Sequence, residues 1–220
     1  MDFLDKRQKS ILFSLITFSA IAIFLILLVE IYSSDYAFNY FIWNLFLSWV
    51  PLIVALRLVR VLRHKLWSSW EALVYSFIWL IFLPNSFYMI SDLIHIADVT
   101  NFYMVLFAVA FMAIIASALV NGFLSVSLVQ SQINKRVSRR SSEVIVMILF
   151  ILSSYGIYIG RILRWNSWDV FLNPTSILYD LSNQIINLKN LGYTLMISFV
   201  FFVFLISSYY LLKRLIRVIS

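Results

Sequence analysis

With 63% of its 220 residues hydrophobic and only 12% charged, the chain has too little polar surface to cover a water-soluble domain of its size. Its formal charge of +7 is gathered in short clusters between apolar runs, a placement that anionic lipid explains and that argues against a nucleic-acid partner. The absence of cysteine excludes disulfides, thiolate nucleophiles and Cys-based metal sites, and His64 and His95 are the only histidines.

Apolar runs of membrane-spanning length recur along the chain, so the expected fold is an all-α polytopic helix bundle of six spans forming one domain, 1–220. The first run, 11–32, follows a basic cluster as a signal peptide would. It is too long for such a segment and no A-x-A-like cleavage site follows, so it reads as a retained span. The second is expected at 40–62 and the third at 67–83, where Pro84 should end it because proline disfavours helix in the residue before it. The fourth, fifth and sixth are expected at 101–129, 143–163 and 191–212.

Of the 17 Lys and Arg, all but Arg161, Arg164 and Lys189 sit near the N-terminus, around the second connection, in the fourth connection or at the C-terminus. By the positive-inside rule both termini are cytoplasmic and the first, third and fifth connections face outward. The outward side then holds most of the unusual polar residues. In the third connection, PNSFYMISDLIHIADVTN, Asn85 or Ser86 can cap a short helix reaching about Ala97. Asp92, His95 and Asp98 are spaced three apart on it, within about 120° of one side. Three readings stand: a solvated interfacial helix, carboxylates paired with Arg161 or Arg164, or a metal held by Asp92, His95 and Asp98, which one helix face would leave under-coordinated.

The fifth connection follows SSYGIYIGR, where Gly156 and Gly160 form a GxxxG pair suited to close helix packing. If this helix continues through Trp168, then Arg161, Arg164, Trp165 and Trp168 share one face. The tryptophans can belong to an interfacial belt with the arginines on lipid phosphates, or the arginines can turn inward onto Asp92, Asp98 or Asp169 and leave a fork for an anionic ligand. Asn166, Ser167 and Asp169 among the aromatics favour an organised site, one that faces the third connection across an external pocket. Asn173-Pro174 then begins an amphipathic helix, with Ile177, Leu178, Leu181, Ile185 and Leu188 opposite Asp180, Asn183 and Asn187. In the second span Asn39 and Asn44 each need a partner, while Asn121 in the fourth reads as a packing or capping residue.

Three blocks, WNLFLSWVP (43–51), LIFLPNSFYMISDLIH (80–95) and YGIYIGRILRWNSWDV (155–170), resemble the signatures of the DUF1361 family of bacterial membrane proteins. The resemblance spans most of the chain and implies no reaction, since that family has no established biochemical function. It singles out Asn44, Pro84, Asn85, Asp92, His95, Gly160, Arg161, Arg164, Trp165, Asn166 and Asp169 as motif positions. Ser48 and Ser86 stand where members of that family often carry alanine.

No P-loop, HExxH, GxSxG, GxGxxG or HxE…PCxxC pattern occurs, so no cofactor is expected. The candidate ligand-binding set is Asn44, Asn85, Asp92, His95, Arg161, Arg164, Trp165, Asn166 and Asp169. The expected function is binding or movement of an anionic amphiphile, of phospholipid or polyprenyl-phosphate type, at the outer face of a bacterial plasma membrane. Two alternatives remain open: a membrane-embedded enzyme using Asp92, His95 or Asp169, and a non-catalytic partner of an envelope complex whose protein partners the sequence does not identify.

Overall fold

The computed structural model describes residues 6–33, 39–98, 103–186 and 188–219. Among them there is no strand; the chain runs as α1 (Lys6–Ser33), α2 (Asn39–Val61), α3 (Trp70–Tyr88), a 3₁₀ helix (Met89–Asp98), α4 (Tyr103–Ile133), α5 (Arg139–Ile162), α6 (Asp169–Leu172), α7 (Pro174–Ile186) and α8 (Leu188–Ile219). Six segments of described helix are long and apolar enough to cross a membrane: Gln8–Ile31, Tyr40–Val61, Trp70–Leu93, Val105–Ile133, Arg139–Ile162 and Leu191–Ile216. The protein is a multi-pass, all-helical membrane protein.

The third span departs from expectation. Pro84 lies inside α3 rather than at its end, and the apolar stretch continues into the 3₁₀ helix as far as Leu93. Proline removes the N–H that would reach the Leu80 carbonyl, but breaking the helix within hydrocarbon would leave several more backbone groups unpaired. Continuing it is the lesser penalty. Pro51 is carried inside α2 in the same way.

The helices form two compact units, Met1–Val129 and Gln130–Ser220. In the first, Ala22, Ile26 and Val29 of α1 pack with Phe41 and Leu45 of α2, Met89, and Phe107, Phe111, Ile114 and Ala118 of α4. Phe41 lies 4.4 Å from Phe111, and Phe107 stacks on Phe111 at 5.5 Å between ring centroids. Leu12, Leu15 and Leu52 make a second cluster with Trp49 and Leu56. In the second unit α5 packs along α8, with Phe150 5.3 Å from Tyr209, and α7 lies against α8. Both units leave large apolar side chains exposed, among them Phe13, Phe46, Phe199 and Val200. Acyl chains rather than water suit such an exterior.

One close approach in the first unit depends on glycine. A Cβ on Gly122 would sit 2.6 Å from the Phe87 ring and 2.8 Å from Ser86 Cβ, whereas Gly192 has open space around its Cα. Gly122→Ala should therefore destabilise the purified protein by about 1–3 kcal/mol through overpacking. Gly192→Ala should leave it unchanged or slightly more stable, by at most ~1 kcal/mol. Thermal melts of the two variants in the same detergent separate these outcomes.

Candidate functional site

In the first unit the polar side chains follow one stripe. Ser117, Asn121 and Ser125 stand a helical turn apart on α4, and all three are fully buried. Ser117 Oγ lies 2.6 Å from Ser19 Oγ of α1, which also accepts from Trp49 Nε1 at 3.2 Å. Asn121 Nδ2 donates to Ser48 Oγ of α2 at 3.2 Å, and Ser125 Oγ accepts from Trp79 Nε1 of α3 at 3.3 Å. Ser86 Oγ of α3 completes the ring by donating to the Ser48 carbonyl at 3.0 Å.

The direction of the Asn121 amide follows from its partner. Ser48 Oγ donates its proton to the Leu45 carbonyl at 2.7 Å, so it can only accept from Asn121. That leaves Asn121 Oδ1 buried without a partner, and Asn85 Nδ2 on α3 is in the same condition among the described residues. Each such group costs about 1–3 kcal/mol of lost solvation. Asn121 is thus a buried bridge between helices rather than a capping residue.

Asn44 stands one turn before Ser48 on α2. Its Nδ2 donates to Asp92 Oδ2 at 3.4 Å, and the Asp92 residue is only 1% exposed. Asp92 lies on a 3₁₀ helix instead of the expected α-helix. At three residues per turn, positions 92, 95 and 98 fall in line along the axis rather than across a 120° arc. The side chains of His95 and Asp98 lie outside the described residues, as does that of Asn39. Among the described residues no three His, Asp or Glu side chains converge as metal ligands.

In the second unit α5 ends at Ile162, before either tryptophan, so Arg161, Arg164, Trp165 and Trp168 do not share a helical face. Arg164 takes φ 58°, a left-handed conformation usually left to glycine or asparagine at a helix end, and the Trp165 N–H closes the turn on the Ile159 carbonyl at 3.3 Å. Asp169 Oδ2 accepts the Asn166 N–H at 2.7 Å and the Asn166 side-chain amide at 3.3 Å, while its own N–H returns to the Asn166 carbonyl at 3.0 Å. Trp165 Nε1 donates to Asp180 Oδ2 of α7 at 2.8 Å, and Tyr158 Oη donates to Gln184 Oε1 at 3.1 Å. The amphipathic helix after Asn173 is present as α7, and Asp180 serves as its tether. Both aspartates of this loop are therefore taken by neutral donors. Arg161 is half-buried; Arg164 is exposed and meets no hydrogen-bond or ion-pair partner among the described residues.

A family model described as "Protein of unknown function (DUF1361)" matches residues 43–207. The chain belongs to the DUF1361 family. The match takes in α2 through most of α8, hence the Asn44–Asp92 pair, the α4 stripe and the Arg164 loop. No curated protein and no solved structure matches the chain.

Ser19, Ser48, Ser86, Ser117 and Ser125 were not among the candidate site residues read from the sequence. Small polar residues spaced by four within an apolar run, as at 117, 121 and 125, were the signal available. Interhelical hydrogen bonds in membrane proteins are worth about 0.6 kcal/mol each on average. A double-mutant cycle of Ser48→Ala and Asn121→Ala should accordingly return a coupling near ~0.6 kcal/mol in reversible unfolding, and strict additivity would rule out the bond. Trp165→Phe keeps the ring and deletes the donor to Asp180. It should speed amide hydrogen exchange through residues 165–180 by about fivefold to tenfold, the equivalent of roughly 1–1.5 kcal/mol, with α4 unaffected.

Proposed function

We propose that this DUF1361 protein binds an anionic amphiphile, of phospholipid or polyprenyl-phosphate type, at the membrane surface opposite its basic connections. Arg164 is the residue that takes the headgroup. The observation that carries this reading is an exposed arginine in a left-handed backbone, in a loop whose two aspartates are already engaged by Asn166 and Trp165. A non-glycine residue in that conformation costs about 1–2 kcal/mol. Glycine would end the helix without that strain, so retaining arginine favours its side chain having a role. A planar guanidinium suits bidentate recognition of a phosphate oxygen pair, and the neighbouring tryptophans suit headgroup depth. In this reading the loop lies on the extracytoplasmic side of a bacterial plasma membrane and both termini in the cytoplasm, which the clustering of Lys and Arg in the alternate connections supports.

Arg164→Gly separates the two roles of the residue. The variant should melt higher, by the relief of about 1 kcal/mol, and yet lose the anionic lipid that native mass spectrometry is expected to detect on the wild-type chain. Equal lipid retention in both proteins would overturn the reading. A topology reporter fused at about residue 172 should report an extracytoplasmic position, and a cytoplasmic signal would remove the basis for the assigned face.

A second reading rests on Asp92, a carboxylate buried in the third span beside the Asn44 amide. Ionisable groups within membrane-spanning segments are costly and mark functional positions. In this reading Asp92 is the proton acceptor of a membrane-embedded enzyme. An Asp92→Asn protein that folds normally and retains full cellular function would count against it.

A further inference from the structure

At the opposite end of α5 from Arg164, about 36 Å away along a 24-residue helix, the second unit holds a cavity of about 300 Å³ lined by Gln130, Asn134, Arg139, Glu143 and Lys213. We infer that this cavity is a binding site for a phosphate-bearing anion, a lipid headgroup at the basic ends of the spans.

The lining is organised from a buried amide. Gln130, 3% exposed, receives two hydrogen bonds on Oε1: one from Tyr209 Oη at 2.6 Å and one from Lys213 Nζ at 2.7 Å. This amide oxygen orients the Lys213 ammonium in the cavity lining. The largely exposed Arg139 donates Nε to Glu143 Oε1 at 3.2 Å, which leaves the two terminal nitrogens of its guanidinium as further donors. Two cations against one carboxylate give the lining one net positive charge, a match for a singly charged phosphodiester.

The helix end adds to this. The first turn of α5 contains no acidic residue but does contain Arg139 and Arg140, cations at the positive end of the helix dipole. That placement opposes the dipole, Glu143 answers only one of the two arginines, and a further anion there would be favourable.

The volume and the surroundings indicate a headgroup. A space of about 300 Å³ is at the small end of ligand sites and accommodates a phosphate with a short polar substituent, not a whole lipid. One residue beyond Glu143, the outer face of α5 becomes apolar and exposed with Val144, Met147 and Ile148, and Leu211 and Leu215 do the same on α8 beside Lys213. Acyl chains have a surface to follow directly from the cavity. Clustered cations at the cytoplasmic ends of membrane helices carry anionic headgroups by this chemistry. The site is separate from the Arg164 loop, and its test is independent of it.

Asn134 is exposed at the mouth of the cavity, so Asn134→Asp alters charge there with little effect on packing. The full-length protein is titrated with nanodiscs containing phosphatidylglycerol in a phosphatidylcholine background, and separately with inorganic phosphate. Lys213→Ala should weaken binding about tenfold, the loss expected for one charge-assisted hydrogen bond, and Asn134→Asp should weaken it by about as much through repulsion of the anion by the added carboxylate, while Gly192→Ala, with open space around its Cα, leaves it intact. An effect confined to the lipid arm assigns the site to a headgroup, and one confined to the phosphate arm assigns it to a soluble anion. If Asn134→Asp binds both ligands as tightly as the wild type, the cavity is not an anion site.

Discussion

The first unit depends on how α4 distributes its hydrogen bonds. Ser117, Asn121 and Ser125 stand one turn apart, and they engage Ser19 of α1, Ser48 of α2 and Trp79 of α3 in that order. Within hydrocarbon no water competes for these groups, so a polar side chain must find a partner on a neighbouring helix. Association between apolar helices gains nothing from the hydrophobic effect when the surroundings are equally apolar. Register along the bundle then follows from which polar atoms meet. Gly122, next to the central asparagine, allows α3 close enough for Ser86 to reach the Ser48 carbonyl.

The two prolines fit the same constraint. Pro51 and Pro84 each withdraw one donor from the helix that carries it, and each lies within three residues of a member of the serine pair that joins α2 to α3. The Ser48 carbonyl takes a bond from a side chain of another helix, so backbone near a missing ladder bond gains support from outside its own helix. The third span passes through Pro84 and delivers Asp92 to Asn44 at the end of the apolar stretch.

In the second unit the same chemistry orders the two ends of α5 differently. At its start Lys213 is oriented by an amide and Arg139 by a carboxylate. At its close the carboxylates serve as loop fasteners, Asp169 on Asn166 and Asp180 on Trp165, and Arg164 is held by backbone geometry. Arginine at a helix C-terminus is favoured by the dipole, whereas arginine at the N-terminus opposes it. The cations at the two ends of α5 therefore sit in opposite electrostatic surroundings.

Much of the architecture was legible from residue order alone. Six spans, an all-helical fold, the amphipathic helix after Asn173 and the clustering of cations in alternate connections follow from hydropathy and charge, which act locally and survive without tertiary detail. Asn44 and Asp92 could be named because a polar group in an apolar run needs a partner, but not that they would be each other's. The extent of α3, the end of α5 at Ile162 and the 3₁₀ path through Asp92 were settled by tertiary structure, since a proline or an interfacial arginine tolerates either outcome until its neighbours are in place. The serines were the least visible. A serine in a membrane helix is ordinary on its own and returns its proton to its own helix, as Ser153 and Ser154 do. Only the crossing of helices decides that Ser86 donates to the Ser48 carbonyl of α2 instead.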